Sequence, residues 1–131
     1  MAARNSELVR QVYAALGRGD VESFLEVVDP DAVWYWPRGM ADAAVYRGKD
    51  EMRRGLETWT EPWIDFRMEP AEVLERGEEV LVIARYTGRG RVSGVELDER
   101  VAHLWEFRDG LAVQVRMFGD EEKAKRRFTD G

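Results

Sequence analysis

Cysteine is absent from this chain, and histidine occurs once, at position 103. Without cysteine there is no disulfide scaffold, no thiol nucleophile and no thiolate metal site. A lone histidine then leaves too few ligands for a zinc centre. Positive charge is not in excess either: 20 lysines and arginines stand against 26 aspartates and glutamates, for a net charge of −6. That balance speaks against nucleic acid, because phosphate binding needs clustered surplus cations. No apolar run approaches the roughly 20 residues that a membrane-spanning helix requires, so no membrane partner is expected. Met1-Ala2-Ala3-Arg4 has no apolar segment behind it, so no secretory leader is expected and the protein is assigned to the cytoplasm. Gly-x-Ser-x-Gly is missing. The glycine-rich stretch Gly88-Arg89-Gly90-Arg91-Val92-Ser93-Gly94 has neither the spacing nor the following helix of a dinucleotide fingerprint. Any chemistry is therefore expected to proceed without a cofactor or metal.

The residues that are present describe one domain spanning 1–131. At 44% hydrophobic content the chain can fill a single core. Leu8, Val12 and Leu16 recur every fourth residue with Val9 and Tyr13 beside them, which predicts a helix over Asn5 to Leu16, ended by Gly17 and Gly19. Asp20 caps a second helix, whose Val21, Phe24, Leu25 and Val28 follow helical spacing. Asp29-Pro30-Asp31 turns the chain into a first strand, Ala32 to Trp36. Residues 37–47 read as a loop, and Met52, Leu56 and Trp59 mark a third helix before Pro62. From Trp63 the period becomes two: Ile64, Phe66 and Met68 are expected on one face. Strands over Val80 to Thr87, Glu96 to Phe107 and Leu111 to Phe118 follow, the last two joined by the hairpin Asp109-Gly110. Asp120 caps a final short helix.

Helices first and long antiparallel strands afterwards predict an α+β fold, a cone-shaped curved antiparallel sheet (a half-barrel) wrapped around the N-terminal helices. Pro70 and Gly88 are the expected bend points. The uncovered sheet face suits a homodimer. His103 alternates with Val101, Trp105 and Phe107, so the four share a face. If that face is concave, an imidazole that titrates near neutrality lines a pocket and serves as acid or base; a buried structural histidine is the alternative. Trp34 and Trp36 share the opposite side of their strand from Tyr35 and offer an apolar wall to a ring-bearing ligand, or simply core. Trp59 and Trp63 suit a pocket rim or a subunit contact. Tyr13 offers a hydroxyl from the first helix. Arg85 interrupts an apolar strand and must pair, with Asp65, Glu99 or a ligand carboxylate, or lie exposed in a cross-strand ion pair.

Leu8-Val9-Arg10-Gln11-Val12-Tyr13-Ala14-Ala15-Leu16 with Gly19-Asp20, Pro30-Asp31-Ala32-Val33-Trp34, Tyr46-Arg47-Gly48-Lys49, Tyr86-Thr87-Gly88-Arg89-Gly90 and Ala102 to Gly110 together resemble the NTF2-like superfamily, most closely its SnoaL-like and ketosteroid isomerase-like branch. The resemblance covers nearly the whole chain. It implies the cone-shaped fold and a small-molecule pocket. It does not carry over the isomerase residues: the base position looks like Trp36, and the two oxyanion donors like Val12 and His103. Steroid-type isomerisation is not expected. The SnoaL-type cyclases place an acid near the last strand, where Asp120 is the nearest candidate, with a helix cap as its other role.

These readings converge on a protein that binds a small, largely apolar, aromatic or polyketide-like molecule. The candidate catalytic residues are His103, Tyr13 and Asp120. The candidate substrate contacts are Trp34, Trp36, Trp59, Trp63, Arg85 and Trp105. Isomerisation, cyclisation or hydration by proton transfer is the chemistry expected of an enzyme on this plan. A noncatalytic ligand-binding or dimerisation module is the alternative.

Overall fold

A computed structural model describes residues 4–35 and 45–130. Four helices, α1 (Arg4–Gly17), α2 (Val21–Glu26), α3 (Gly48–Thr60) and α4 (Glu121–Asp130), accompany six strands. The strands are β1 (Val28–Tyr35), β2 (Val45–Arg47), β3 (Trp63–Arg76), β4 (Glu79–Gly90), β5 (Glu96–Arg108) and β6 (Leu111–Phe118). They form one unclosed sheet in the order β2-β1-β6-β5-β4-β3. Every pair is antiparallel except β1 with β6. This is the α+β half-barrel that the order of helices and strands predicts.

Each face of the sheet has its own core. On the concave side, α1 supplies Val9, Val12 and Tyr13, α2 supplies Phe24 and Leu25, and these pack on Val80, Val82, Ala84 and Tyr86 of β4 and Trp105 and Phe107 of β5. On the convex side, the alternate residues Leu81, Ile83, Ala102 and Leu104 are covered by Ala124 and Phe128 of α4. The apolar run 80–84 is thus buried on both faces, which is why it shows no alternation in the sequence. Helix α4 is further tied down by Arg100, which donates to Glu121 (2.9 and 3.0 Å) and Glu72 (3.1 Å). Arg76 donates to the carbonyls of Phe128 and Thr129.

Four local expectations change. Helix α2 stops at Glu26, because Val28 is already paired with Ala112 of β6 and the Ala112 N–H donates to the Val27 carbonyl at 2.8 Å. Strand β1 accordingly starts before Pro30, which sits where the register shifts between Val28 and Val33; a bulge is where a residue without an N–H can be tolerated. Val45–Arg47 pairs with Tyr35–Val33 as β2 instead of belonging to a loop. Finally, Ile64 pairs with Arg89 whereas Met68 pairs with Tyr86, so β3 spends one more residue than β4 over this stretch. Asp65 takes up the excess at φ 54 and turns Ile64 outward, where it is 39% exposed, away from Phe66 and Met68. The expected bend points coincide with the irregularities: Gly88 lies opposite this bulge, and Pro70 adjoins a second shift before Glu72. A Cβ at Gly88 would lie 3.4 Å from both the Ile64 carbonyl oxygen and the Phe66 Cα, at van der Waals contact with the bulged strand.

Candidate functional site

Alternation along β5 places Val101, His103, Trp105 and Phe107 on the concave face, and β4 brings Tyr86 to the same side. From α1, Tyr13 points into that surface one turn after Val9. The three polar side chains meet in the core. The Tyr13 hydroxyl lies 2.5 Å from His103 Nδ1, the Tyr86 hydroxyl is hydrogen-bonded to His103 Nε2, and the Trp105 indole N–H donates to the Tyr13 oxygen at 3.2 Å. The Tyr13 and His103 rings stack at 5.9 Å between centroids and 12° between planes. Tyr13, Tyr86 and His103 are each 2% exposed.

Among the described residues no carboxylate joins this cluster, and that decides its electrostatics. Burial alone pushes the His103 imidazolium down to about 3. Burial also raises Tyr13 and Tyr86 far above the ordinary phenol value. At neutral pH all three groups are therefore uncharged. They can hold or pass a hydrogen, but none stands ready as a charged acid or base.

A cleft of about 600 Å³ runs between α1 and β3, lined on the helix by Arg10, Tyr13, Ala14 and Gly17. Those positions follow i, i+3, i+4 and i+7, so they share one face of the helix. The small side of that face, Ala14 and Gly17, leaves the space open. Phe66 and Met68 contribute apolar surface from β3, and Asp65, Arg67 and Glu69 give the cleft a charged border. Tyr13 belongs both to the cleft wall and to the buried cluster.

The sequence candidates are distributed unevenly. His103, Tyr13 and Trp105 come together as described. Trp34 faces the same core, 6% exposed, edge-on to Phe24, while Tyr35 turns to the convex side beneath Arg116. Trp63 is half-buried beside Gly88, away from the cluster. Trp36 and the side chain of Trp59 lie outside the described residues. Two candidates need correction. Asp120 is exposed and accepts from the Lys123 N–H as the cap of α4, a helix packed on the opposite face, so it is no acid of this site. Arg85 pairs through two hydrogen bonds (2.9 and 2.8 Å) with Asp98, and both side chains are more than half exposed on the convex face, so it contacts no ligand of the concave core. Sequence reasoning passed over Tyr86. Its even spacing from Val82 and Ala84 was the available signal, because a polar tip on an otherwise buried face must find a partner. Among the described residues, no group of three or more histidines, aspartates and glutamates is placed to hold a metal ion.

Helices seated in an unclosed, bulged six-stranded sheet around a buried polar centre define the NTF2-like class. Within it, the chain belongs to the SnoaL-like domain family, whose model matches residues 9–115. The fold is similar to that of an NTF2-like protein of unknown function from Burkholderia pseudomallei K96243, at 27% identity over 93% of this chain and 95% of that one, with a TM-score of 0.80. It is equally similar to Bal32a from a soil-derived mobile gene cassette, at 26% identity over 97% of both chains and a TM-score of 0.82. TerC, co-crystallized with polyporic acid, shares the fold at 24% identity over 97% of this chain and 98% of that one, with a TM-score of 0.79. No curated protein matches the sequence.

Proposed function

We propose that this protein binds a small, largely apolar, ring-bearing molecule at the cleft between α1 and β3, with the Tyr13–His103–Tyr86 cluster as the polar anchor behind it. The observation that carries this reading is the double position of Tyr13, which is among the residues lining the cleft while its hydroxyl reaches His103. The volume supports it, since small-molecule sites run from about 300 to 1,000 Å³. So does the lining, in which the aromatic and thioether surfaces of Phe66 and Met68 accept a flat ring. Membership of the SnoaL-like family supports a small-molecule ligand on this fold. The test uses 1-anilinonaphthalene-8-sulfonate as probe. Saturable binding is expected, with at least a tenfold weaker affinity in Gly17→Phe. A Cβ at Gly17 meets no atom within 4 Å, so this variant fills the cleft without disturbing the core. Undiminished probe affinity in Gly17→Phe would remove the cleft from the proposal.

A catalytic reading draws on the unbroken line Trp105–Tyr13–His103–Tyr86. Neutral imidazole accepts a hydrogen at one nitrogen as it releases one at the other, so cofactor-free isomerisation, cyclisation or hydration needs no charged intermediate on the protein. Loss of turnover in both His103→Ala and His103→Gln, with folding retained, would support it; unchanged turnover leaves binding alone.

Dimerisation through the convex face is also proposed, confined to the part that α4 leaves open. There Val33, Tyr35 and Val45 present apolar surface, Val45 at 45% exposure. Val45→Glu is expected to convert the dimer to a monomer in light scattering. A monomeric wild-type protein at micromolar concentration would dismiss this.

A further inference from the structure

We infer that Tyr13 is a positioning residue that fixes His103 as the Nε2–H tautomer and makes the buried line one-directional, from Trp105 through Tyr13 and His103 to Tyr86. The indole sets the direction. A tryptophan N–H can only donate, so Trp105 uses acceptor capacity on the Tyr13 oxygen and offers none in return. The Tyr13 hydroxyl hydrogen must still find an acceptor, because the residue is 2% exposed and an orphaned buried donor is costly. Its hydrogen-bond partners are Trp105 and His103 Nδ1, and of these only the ring nitrogen can accept. Nδ1 is therefore bare.

A neutral imidazole with a bare Nδ1 carries its hydrogen on Nε2, the atom facing Tyr86. His103 is neutral because it is buried among these aromatic groups with no carboxylate of the described residues in contact. The Tyr86 oxygen then receives from His103, and its own hydrogen points away from the ring. Reversing any one link would strand the Tyr13 hydrogen. The sequence of donors is thus set by the one residue in the line that cannot accept. This holds whether or not the cleft binds a ligand.

Long-range ¹H–¹⁵N NMR on the full chain tests the tautomer directly, and the single histidine makes the spectrum unambiguous. At pH 7 the wild type should show a protonated Nε2 and an unprotonated Nδ1. An Nδ1–H tautomer, or an averaged mixture, would overturn the inference. Tyr13→Phe removes the only hydroxyl hydrogen aimed at Nδ1, and the nitrogen shifts should move toward averaged values. If that variant keeps the pure Nε2–H pattern, Tyr13 has no positioning role. Should Tyr13→Phe fail to fold, the wild-type spectrum still decides the tautomer.

Discussion

The two faces of the sheet solve burial in opposite ways. Under α4 the core is purely apolar, and every charge that helps to hold the helix, including Glu72, Arg100, Glu121 and Lys125, remains at the edge in water. Inside the cone, polar atoms go deep among aromatic rings, and the charge is removed instead. Only one of the two faces has groups that chemistry could use. A packed aliphatic face holds the chain together and little else. The neutral hydroxyl–imidazole line has hydrogens whose placement matters, and it adjoins a cleft through Tyr13.

The contrast can be broken most severely from the convex side. Phe128→Ala removes a ring that is 6% exposed over Leu81, Ile83 and Leu104, and a loss of roughly 3–5 kcal/mol is expected in urea unfolding. The His103 line should stay intact, so the imidazole NMR pattern of the folded fraction should not change. A shifted pattern would mean that the two cores are mechanically coupled.

A more gradual effect, spread over several pH units, is expected from acid, and it belongs to the concave side. The folded His103 binds its proton only near pH 3, whereas an unfolded histidine does so near 6.5. Its stabilising contribution is therefore complete above about pH 6.5 and is lost progressively as pH falls from there toward 3. In that window wild-type stability should fall more steeply than that of His103→Gln, by about 1 kcal/mol per pH unit. Glutamine retains one acceptor for Tyr13 and one donor for Tyr86, which keeps the comparison fair. Parallel pH profiles would show that His103 titrates normally and that the site is wetter than its burial indicates.

The smallest effect should come from Arg100→Ala. Its pairs with Glu72 and Glu121 are close, but the arginine side chain is 47% exposed. The loss is expected to be far smaller than that of Phe128→Ala and to shrink further in salt. A loss as large as that of Phe128→Ala would mean that the charges, and not the apolar contacts, hold α4.

Much of this was legible from residue order, because period and turn chemistry are local. Leu111 to Phe118 begins and ends as its alternation and the Asp109-Gly110 turn imply, and α1 differs from expectation by one residue at each end. The misreadings are places where a distant partner overrides the local signal. Val28 has a helical neighbour pattern but is claimed by β6, and Val45–Arg47 becomes a strand only because β1 lies beside it. The Asp65 bulge is invisible as well, since an extra residue is defined by register against β4. The site was half legible for the same reason. Facing put His103 and Trp105 together, but which hydroxyls would cap the two ring nitrogens depends on how α1 and β4 meet across the cone. Arg85 and Asp120 looked suggestive as residue types and are explained by their immediate neighbours.

The bulge at Asp65 has a consequence for the protein's behaviour in concentrated solution. β3 is an outermost strand of 14 residues, long enough to recruit a neighbouring polypeptide into an ever-growing ribbon. Two added residues, a proline without an N–H and the alternating charges of Asp65, Arg67 and Glu69 interrupt that border. The same irregularity that lets the sheet curve thus leaves β3 a poor template for a further strand.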